Sequence, residues 1–266
     1  MSITDLHLLQ FTDLHLFGDE RGRLRGIATL PALRAVLAHA RADAPWPVDA
    51  ILATGDLVQD DPAGYAGFRR LFEELDTPVY CLPGNHDDVE AMARELREQP
   101  FLVGGAVDLG AWRIVLLDTS VPGKASGHLG PGALAALESA LGTADGRHVL
   151  VCMHHHPVPM DSAWLDELGL DNAAQFFRVI DRHSNVRAIL WGHIHQPYEG
   201  ERRGVRLLGT PSTCAQFRPH SREFGTDERP PGYRRLTLHA DGGVDTAVIW
   251  VDACAASSPR SVSSAA

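Results

Sequence analysis

The chain has 266 residues, 44% of them hydrophobic and 22% charged, which is room for one large domain or two small ones with a real core. Its 24 lysines and arginines are outnumbered by 34 acidic residues, for a formal charge of −10, so it lacks the basic footprint of a general nucleic-acid binder. A bound cation could still draw an anion locally, because metal ions dominate their own surroundings.

The opening MSITDLHLLQ has neither a basic n-region nor a long apolar stretch, so no signal peptide is expected. No apolar run approaches bilayer-spanning length. The strand-like run LHLLQF (6–11) leads into TDLH, where Asp13 and His15 share a face in extended chain. Helical spacing follows in TLPALRAVLAHA, with Leu30, Leu33 and Leu37 on one face, Thr29 as N-cap and Pro31 in the first turn. The run DAILAT (49–54) ends in a Gly-Asp pair that supplies Asp56. YAGFRRLFEEL repeats the helical pattern through Tyr65, Phe68, Phe72 and Leu75. PVYCL (78–82) then runs into PGNHDD, with Asn85, His86, Asp87 and Asp88.

Further along come the strand-like WRIVLLD (112–118), a helical PGALAALESAL and the strand-like HVLVCM (148–153). MHHHPVP follows, and strand alternation would put His154 and His156 on one side and His155 on the other. A helix over NAAQFFRVIDR, capped by Asn172, precedes VRAILW (186–191), which ends in WGHIHQ with His193 and His195. Beyond residue 200, GVRLLGT, RRLTLHA and VDTAVIW read as strands without intervening helices, and ADGG (240–243) as a hairpin turn. Alternating β and α followed by a run of strands implies an α/β protein with a mixed sheet, or two sheets, flanked by helices. One domain is expected over 1–253, with a disordered polar tail over 254–266. Cys81, Cys152, Cys214 and Cys254 form no C-x-x-C pair, and three lie in or beside apolar runs, which fits reduced thiols in a cytoplasmic protein.

Every polar cluster sits where an apolar run ends, and α/β proteins build their sites beyond the carboxyl ends of strands. Singly, each cluster is as well read as a turn or a helix cap; the set, in order, is not. Asp13, His15, Asp56, Asn85, one histidine of 154–156, His193 and His195 exceed the about four to six ligands that one ion takes. Two ions sharing a carboxylate, with positions left open, account for them. Imidazole and oxygen without thiolate favour Fe, Mn, Zn or Co.

D-x-H, G-D, G-N-H-D, the histidines of HHHPVP and G-H-x-H, in this order over roughly residues 6 to 196, resemble the calcineurin-like binuclear metallophosphoesterases. The longer stretches ATGDLVQD, LPGNHD, HHHPVP, WLDE, WGHIHQ and TPSTCAQFRPH resemble the bacterial class III 3′,5′-cyclic-AMP phosphodiesterases. The resemblance implies a four-layer α-β-β-α sandwich with two mixed sheets flanked by helices. It implies two divalent or mixed-valence ions, Fe or Mn foremost, with Zn or Co as alternatives. One ion would be held by Asp13, His15, Asp56 and His195, the other by Asp56, Asn85, His154 and His193, with Asp56 bridging.

A hydroxide bridging the ions would attack the phosphorus of 3′,5′-cyclic AMP in line, giving 5′-AMP. His86, oriented by Asp87, would serve the leaving oxygen, and His15, Asp56, Asn85, His86 and His195 would touch substrate. The expected partner is thus a small phosphodiester, with no nucleic acid and no membrane, and the resemblance adds a homodimer. His156 is expected beside the site or at its rim, and His155 facing away, packed or hydrogen-bonded. Thr213, Gln216, Arg218 and His220 are candidates for the purine or ribose, while Arg23 and Arg25 read as solvated charges. The competing readings are a broader phosphodiesterase acting on glycerophosphodiesters or another nucleotide, and a metal-stabilised scaffold without turnover. A scaffold would have no need of Asn85 or His86.

Overall fold

Strand-length apolar runs alternate with amphipathic stretches as far as residue 191, and the computed structural model builds two sheets from them; it describes residues 4–43 and 45–252. In chain order the first half contains β1 (Leu6–Phe11), β2 (Arg23–Leu24), β3 (Ile27–Ala28), α1 (Thr29–Asp43), β4 (Ala50–Thr54), α2 (Gly64–Glu73), β5 (Val79–Leu82), α3 (Val89–Glu95), β6 (Phe101–Val103), β7 (Gly105–Leu109) and β8 (Trp112–Leu116). The second half contains α4 (Pro131–Gly142), β9 (His148–Cys152), α5 (Ala163–Asp166), α6 (Ala173–Ile180), β10 (Val186–Trp191), β11 (Tyr198–Arg202), β12 (Val205–Gly209), β13 (Gln216–Phe217), β14 (Thr226–Asp227), β15 (Gly232–Leu238) and β16 (Val244–Trp250).

The first sheet runs β16-β15-β1-β4-β5-β6 and the second β11-β12-β10-β9-β8-β7. Each is mixed. β1, β4, β5 and β6 are parallel, with β15 and β16 antiparallel at one side. β8, β9, β10 and β12 are parallel, with β7 and β11 antiparallel at the edges.

Alternation along the strands explains the layering. Leu8, Leu52, Leu150 and Leu190 point into a layer shared by the two sheets. Their neighbours Leu9, Ile51 and Val79 point outward, onto Leu33, Val36, Phe68 and Phe72 of α1 and α2. Val149, Val151 and Ile189 meet Leu137 and Leu141 of α4 and Phe176 of α6 on the opposite side. The result is the expected helix–sheet–sheet–helix sandwich. Strands buried on both faces read as continuous apolar runs, which is why the sequence reveals them.

The seam between the sheets is not wholly apolar. Arg234 on β15 is fully buried; its guanidinium donates to Thr210 Oγ1 at 3.0 Å, Gly209 O at 2.8 Å and Glu199 Oε1 at 3.0 Å, all from the second sheet or its end. Its register partner on β1, Gln10, donates to Trp191 O at 3.2 Å and accepts from the Thr210 hydroxyl. Directional bonds therefore fix how the sheets stack, where apolar packing alone would tolerate sliding.

Some expectations change. The short edge strands β6, β7 and β11 and the two hairpins β2–β3 and β13–β14 join the runs read from the sequence. Asn172 sits at the start of α6, but its side chain makes no cap bond there. It donates to Leu129 O at 2.8 Å and accepts from Leu129 N at 3.0 Å, pinning the helix to the chain before α4. The tail expected to be disordered, 254–266, lies outside the described residues, as does Cys254.

Because Arg234 is enclosed and serves several acceptors, Arg234→Ala should destabilise the protein by about 3 kcal/mol in urea unfolding. Arg235→Ala, which removes an exposed ion pair with Asp43, should cost less than about 1 kcal/mol. Equal effects would show that the seam gains nothing from its buried cation.

Candidate metal centre

The residues singled out by sequence converge on one edge of the sandwich. Asp13 and His15 follow β1, Asp56 follows β4, Asn85 and His86 follow β5, His154 follows β9, and His193 and His195 follow β10. All five strands run parallel within their sheets, so these are carboxyl ends from both sides of the seam. The chain must turn sharply there. Asp13, His15, Asp56, His193 and His195 all adopt positive φ, between 46° and 67°. Side-chain-bearing residues enter that region at a cost of about 1–2 kcal/mol each, and such strain clusters at functional sites.

Two glycines are required by contact. A Cβ on Gly84 would lie 2.5 Å from Asp56 N and overlap its carboxylate, and one on Gly192 would lie 2.8 Å from Asp13 Oδ2. The glycines of GNHD and GHIH thus let one strand end close onto the carboxylate of another.

The side chains form adjoining clusters. Asp13, His15 and His195 bring ligand atoms within 4.8 Å of one another, as do Asp56, His154 and His193, and also His15, Asp56 and His86. His195 Nε2 lies 3.2 Å from Asp13 Oδ1, His154 Nε2 3.3 Å from Asp56 Oδ2, and His15 Nε2 3.9 Å from Asp56 Oδ2. Backbone groups set the orientations. His154 Nδ1 donates to Thr54 O at 2.9 Å and His195 Nδ1 to Ala215 O at 2.6 Å. Asp13 accepts from His193 N at 3.0 Å, and Asp56 from His86 N at 2.9 Å.

A carbonyl can only accept, so the Nδ1 atoms of His154 and His195 carry protons, and Nε2 is the atom that each ring turns toward a carboxylate oxygen. Lone pair against carboxylate is repulsive unless a proton or a cation lies between them. Asn85 Oδ1, His154 Nε2 and His193 Nε2 are buried with no hydrogen-bond partner. Unpaired buried ring nitrogens beside carboxylates, with an unpaired amide oxygen nearby, are what a cation satisfies, so the donor set fits metal ions.

The titration behaviour agrees. Burial pushes the Asp56 carboxyl up, but His154, His15 and His86 outweigh it and hold the group well below the usual range. Burial also acts against a charge on His154, yet Asp56 and Asp13 raise it to about 9. His15 falls to about 4, chiefly through burial, and His193 is depressed for the same reason.

His86 lies at this site, but its expected orienting partner does not reach it. Asp87 accepts from the backbone of Gly84 at 2.9 Å, Leu57 at 3.2 Å and Val58 at 3.3 Å, and from the Tyr65 hydroxyl at 2.9 Å. It braces the loops. Asp60 lies 3.0 Å from His86 Nδ1 and is itself held by Gln59 Nε2 at 2.7 Å. The sequence motif ATGDLVQD contains this residue, but nothing in its spacing points to His86.

In the histidine triplet His154 and His156 lie at or beside the site as expected and His155 is hydrogen-bonded, but the facing of His155 differs because β9 ends at Cys152 and strand alternation stops applying. His155 does not face away; its ring is 4.7 Å from that of His193, with Nδ1 2.8 Å from Thr119 Oγ1, and burial lowers it to about 3. His156 packs parallel to His193 at 5.7 Å.

A cavity of about 230 Å³ opens over the clusters, lined by His15, Asp56, Asn85, His86, His193 and His195. Of the rim candidates, Thr213 and Gln216 are buried away from it, with Gln216 hydrogen-bonded to Ser212 and Pro230. Arg25 borders the cavity while remaining exposed, in keeping with its reading as a solvated charge.

A two-sheet sandwich with clustered imidazoles and carboxylates at its parallel-strand ends defines a metal-centred α/β scaffold. The chain belongs to the calcineurin-like phosphoesterase family, whose model matches residues 6–197. That fold implies a binuclear divalent metal site. The chain is 43% identical to a 3′,5′-cyclic adenosine monophosphate phosphodiesterase, CpdA, of Pseudomonas aeruginosa, over 92% of this chain and 90% of that one. It is 41% identical to CpdA of Escherichia coli K12, over 91% and 89% respectively. Among solved structures, a dimetal phosphatase from Danio rerio matches in fold with a TM-score of 0.65, at 14% identity, covering 93% of this chain and 99% of that one.

Gly84→Ala should drive the added methyl into Asp56, lower metal content measured by elemental analysis and destabilise the chain by about 1–3 kcal/mol. Gly67→Ala, on α2 with open space around it, should leave metal content unchanged and stabilise slightly. Identical behaviour of the two variants would refute the close approach.

Proposed function

We propose that this protein is a metal-dependent phosphodiesterase that hydrolyses 3′,5′-cyclic AMP to 5′-AMP. The observation that carries the reading is the array of Asp13, His15, Asp56, Asn85, His154, His193 and His195 at the strand ends, five of which line one cavity, with Asn85 Oδ1, His154 Nε2 and His193 Nε2 buried and partnerless. The similarity to CpdA along nine-tenths of the chain supports the choice of substrate.

In this reading Asp13, His15, Asp56 and His195 hold one cation and Asp56, Asn85, His154 and His193 the other. The donor set suits Fe or Mn, with Zn or Co as alternatives. Bound there, two divalent cations neutralise phosphodiester charge and acidify water. The chain's own contribution is positioning: Thr54 O and Ala215 O fix His154 and His195, and the N–H groups of His193 and His86 fix the carboxylates. His86 donates from Nδ1 to Asp60, so the proton it can pass on from Nε2 is the second proton of its doubly protonated ring. Water's oxygen bonds to phosphorus as one of its protons passes to solvent, the bond to the 3′ oxygen breaks, and His86 gives that oxygen a proton that it regains from solvent. Asp60 is the positioning residue for His86 in this scheme.

A single chain holds the whole array, so the reading needs no homodimer. Cys81, Cys152 and Cys214 are buried free thiols, which supports a cytoplasmic setting. No described helix is long and apolar enough to cross a membrane. The domain that carries this activity is taken as residues 1–253.

Protein stripped of metal and resupplied with Mn²⁺ or anaerobic Fe²⁺ should form 5′-AMP from cyclic AMP in preference to cleaving glycerophosphocholine or a generic diester, as resolved by chromatography. Preference for glycerophosphocholine would replace the substrate and leave the site standing. His86→Ala should lower turnover by about 10²-fold or more with metal content unchanged. Loss of metal in that variant would make His86 a ligand instead. Asp56→Ala should deplete both ions, and full occupancy would disprove the bridge.

A further inference from the structure

The cavity over the metal centre is two-faced. Its inner end is imidazole, carboxylate and amide, whereas its outer end is built from Leu24, Ala125, Trp164, Leu165, Phe217 and Phe224. Three of these are aromatic and come from separate parts of the chain: α5, β13 and the loop between β13 and β14. Their rings meet edge to face, with Trp164 5.3 Å from Phe217 and 5.1 Å from Phe224, and Phe217 5.4 Å from Phe224.

The aromatic wall begins at the metal centre itself. Phe217 stacks on His195 at 3.9 Å with 7° between the planes, and its backbone N–H donates to His195 O at 3.0 Å. The hairpin is tied to the neighbouring segment, since Ser221 N donates to Ser162 Oγ at 3.1 Å. At the outer edge Phe224 is 44% exposed, the only aromatic among the exposed large hydrophobic residues described. The Arg25 guanidinium lies over its ring at 4.5 Å, reaching in from the β2–β3 turn.

A cyclic nucleotide is itself two-faced, with a charged phosphate ring at one end and a flat apolar base a few bonds away. With the phosphate at the inner end, the base falls against the aromatic wall. We propose that Trp164, Phe217 and Phe224 form the nucleobase subsite, with Arg25 closing its outer side across Phe224. The proposal rests on the cyclic-nucleotide reading and extends it to how the substrate is held. Stacking a base on an aromatic ring is worth about tenfold in binding.

The test compares cyclic AMP with the 3′,5′-cyclic phosphate of 1-deoxyribose, which has the same reacting ring and no base. Metal-loaded full-length enzyme and its Phe224→Ala and Phe224→Tyr variants are assayed for kcat and KM on both. Phe224→Ala should lose about tenfold in kcat/KM on cyclic AMP, mostly through KM, and less than about twofold on the base-free ring. Phe224→Tyr, which keeps the ring, should retain most of the wild-type value. Equal losses on both substrates would mean that Phe224 only supports the hairpin, and no loss on either would mean that the base lies elsewhere; both overturn the subsite. Wild-type enzyme that leaves cyclic AMP intact while cleaving the base-free ring would overturn the cyclic-nucleotide reading and the subsite together, and would be visible before any variant is made.

Discussion

The structure turns on two carboxylates, Asp13 and Asp56, that are withdrawn from water at the seam between the sheets. An ionised carboxylate so buried is tolerable only with opposite charge or strong donors around it. The fold supplies backbone N–H groups from His193 and His86, and imidazoles from four strand ends. Bringing those ends together forces residues with side chains into left-handed backbone and demands glycine where one loop presses on another. Strain and burial are the cost of a preformed cation site, and the surrounding β structure sustains it.

Each sheet contributes part of that site. Asp13, His15, Asp56, Asn85 and His86 come from the first, and His154, His193 and His195 from the second. Their spacing is therefore only as well defined as the stacking of one sheet on the other. The buried Arg234, with Gln10 and Thr210, locks that stacking within the same seam. Packing of Leu8 and Leu52 against Leu150 and Leu190 supplies the bulk of the cohesion, and the polar bonds supply the alignment.

Much of this was legible in the sequence. β1, β4, β9 and β10 stand out because burial on both faces makes their runs predominantly apolar, interrupted inside the runs only by His7, Gln10 and Arg187. The clusters of histidine, aspartate and asparagine stand out because they end those runs, and the structure brings them to one cavity. What was not legible depends on where loops go. Asp87 follows His86 in sequence, yet the turn sends it to the backbone of Leu57 and Val58, while Asp60 arrives from another loop. His155 is packed and hydrogen-bonded as its residue type suggests, but it lies beside His193 because strand alternation ends at Cys152. The aromatic wall joins Trp164, Phe217 and Phe224, none of which lies in a periodic pattern. β7 and β11 escaped notice because edge strands are half solvated, and GAVDL and YEGER look like loop.

The position of β1 has a consequence for biogenesis. It is made before every other strand described, yet its antiparallel partner β15 ends at Leu238. Until nearly the whole domain has left the ribosome, β1 presents a bare, apolar flank capable of pairing with another chain. The second sheet is complete before that flank is covered, since its last strand, β12, ends at Gly209. Emergence of Arg234 closes the flank and fastens the two sheets together in one event. A nascent chain halted shortly before that point would carry every candidate ligand and lack the strand that holds them in register.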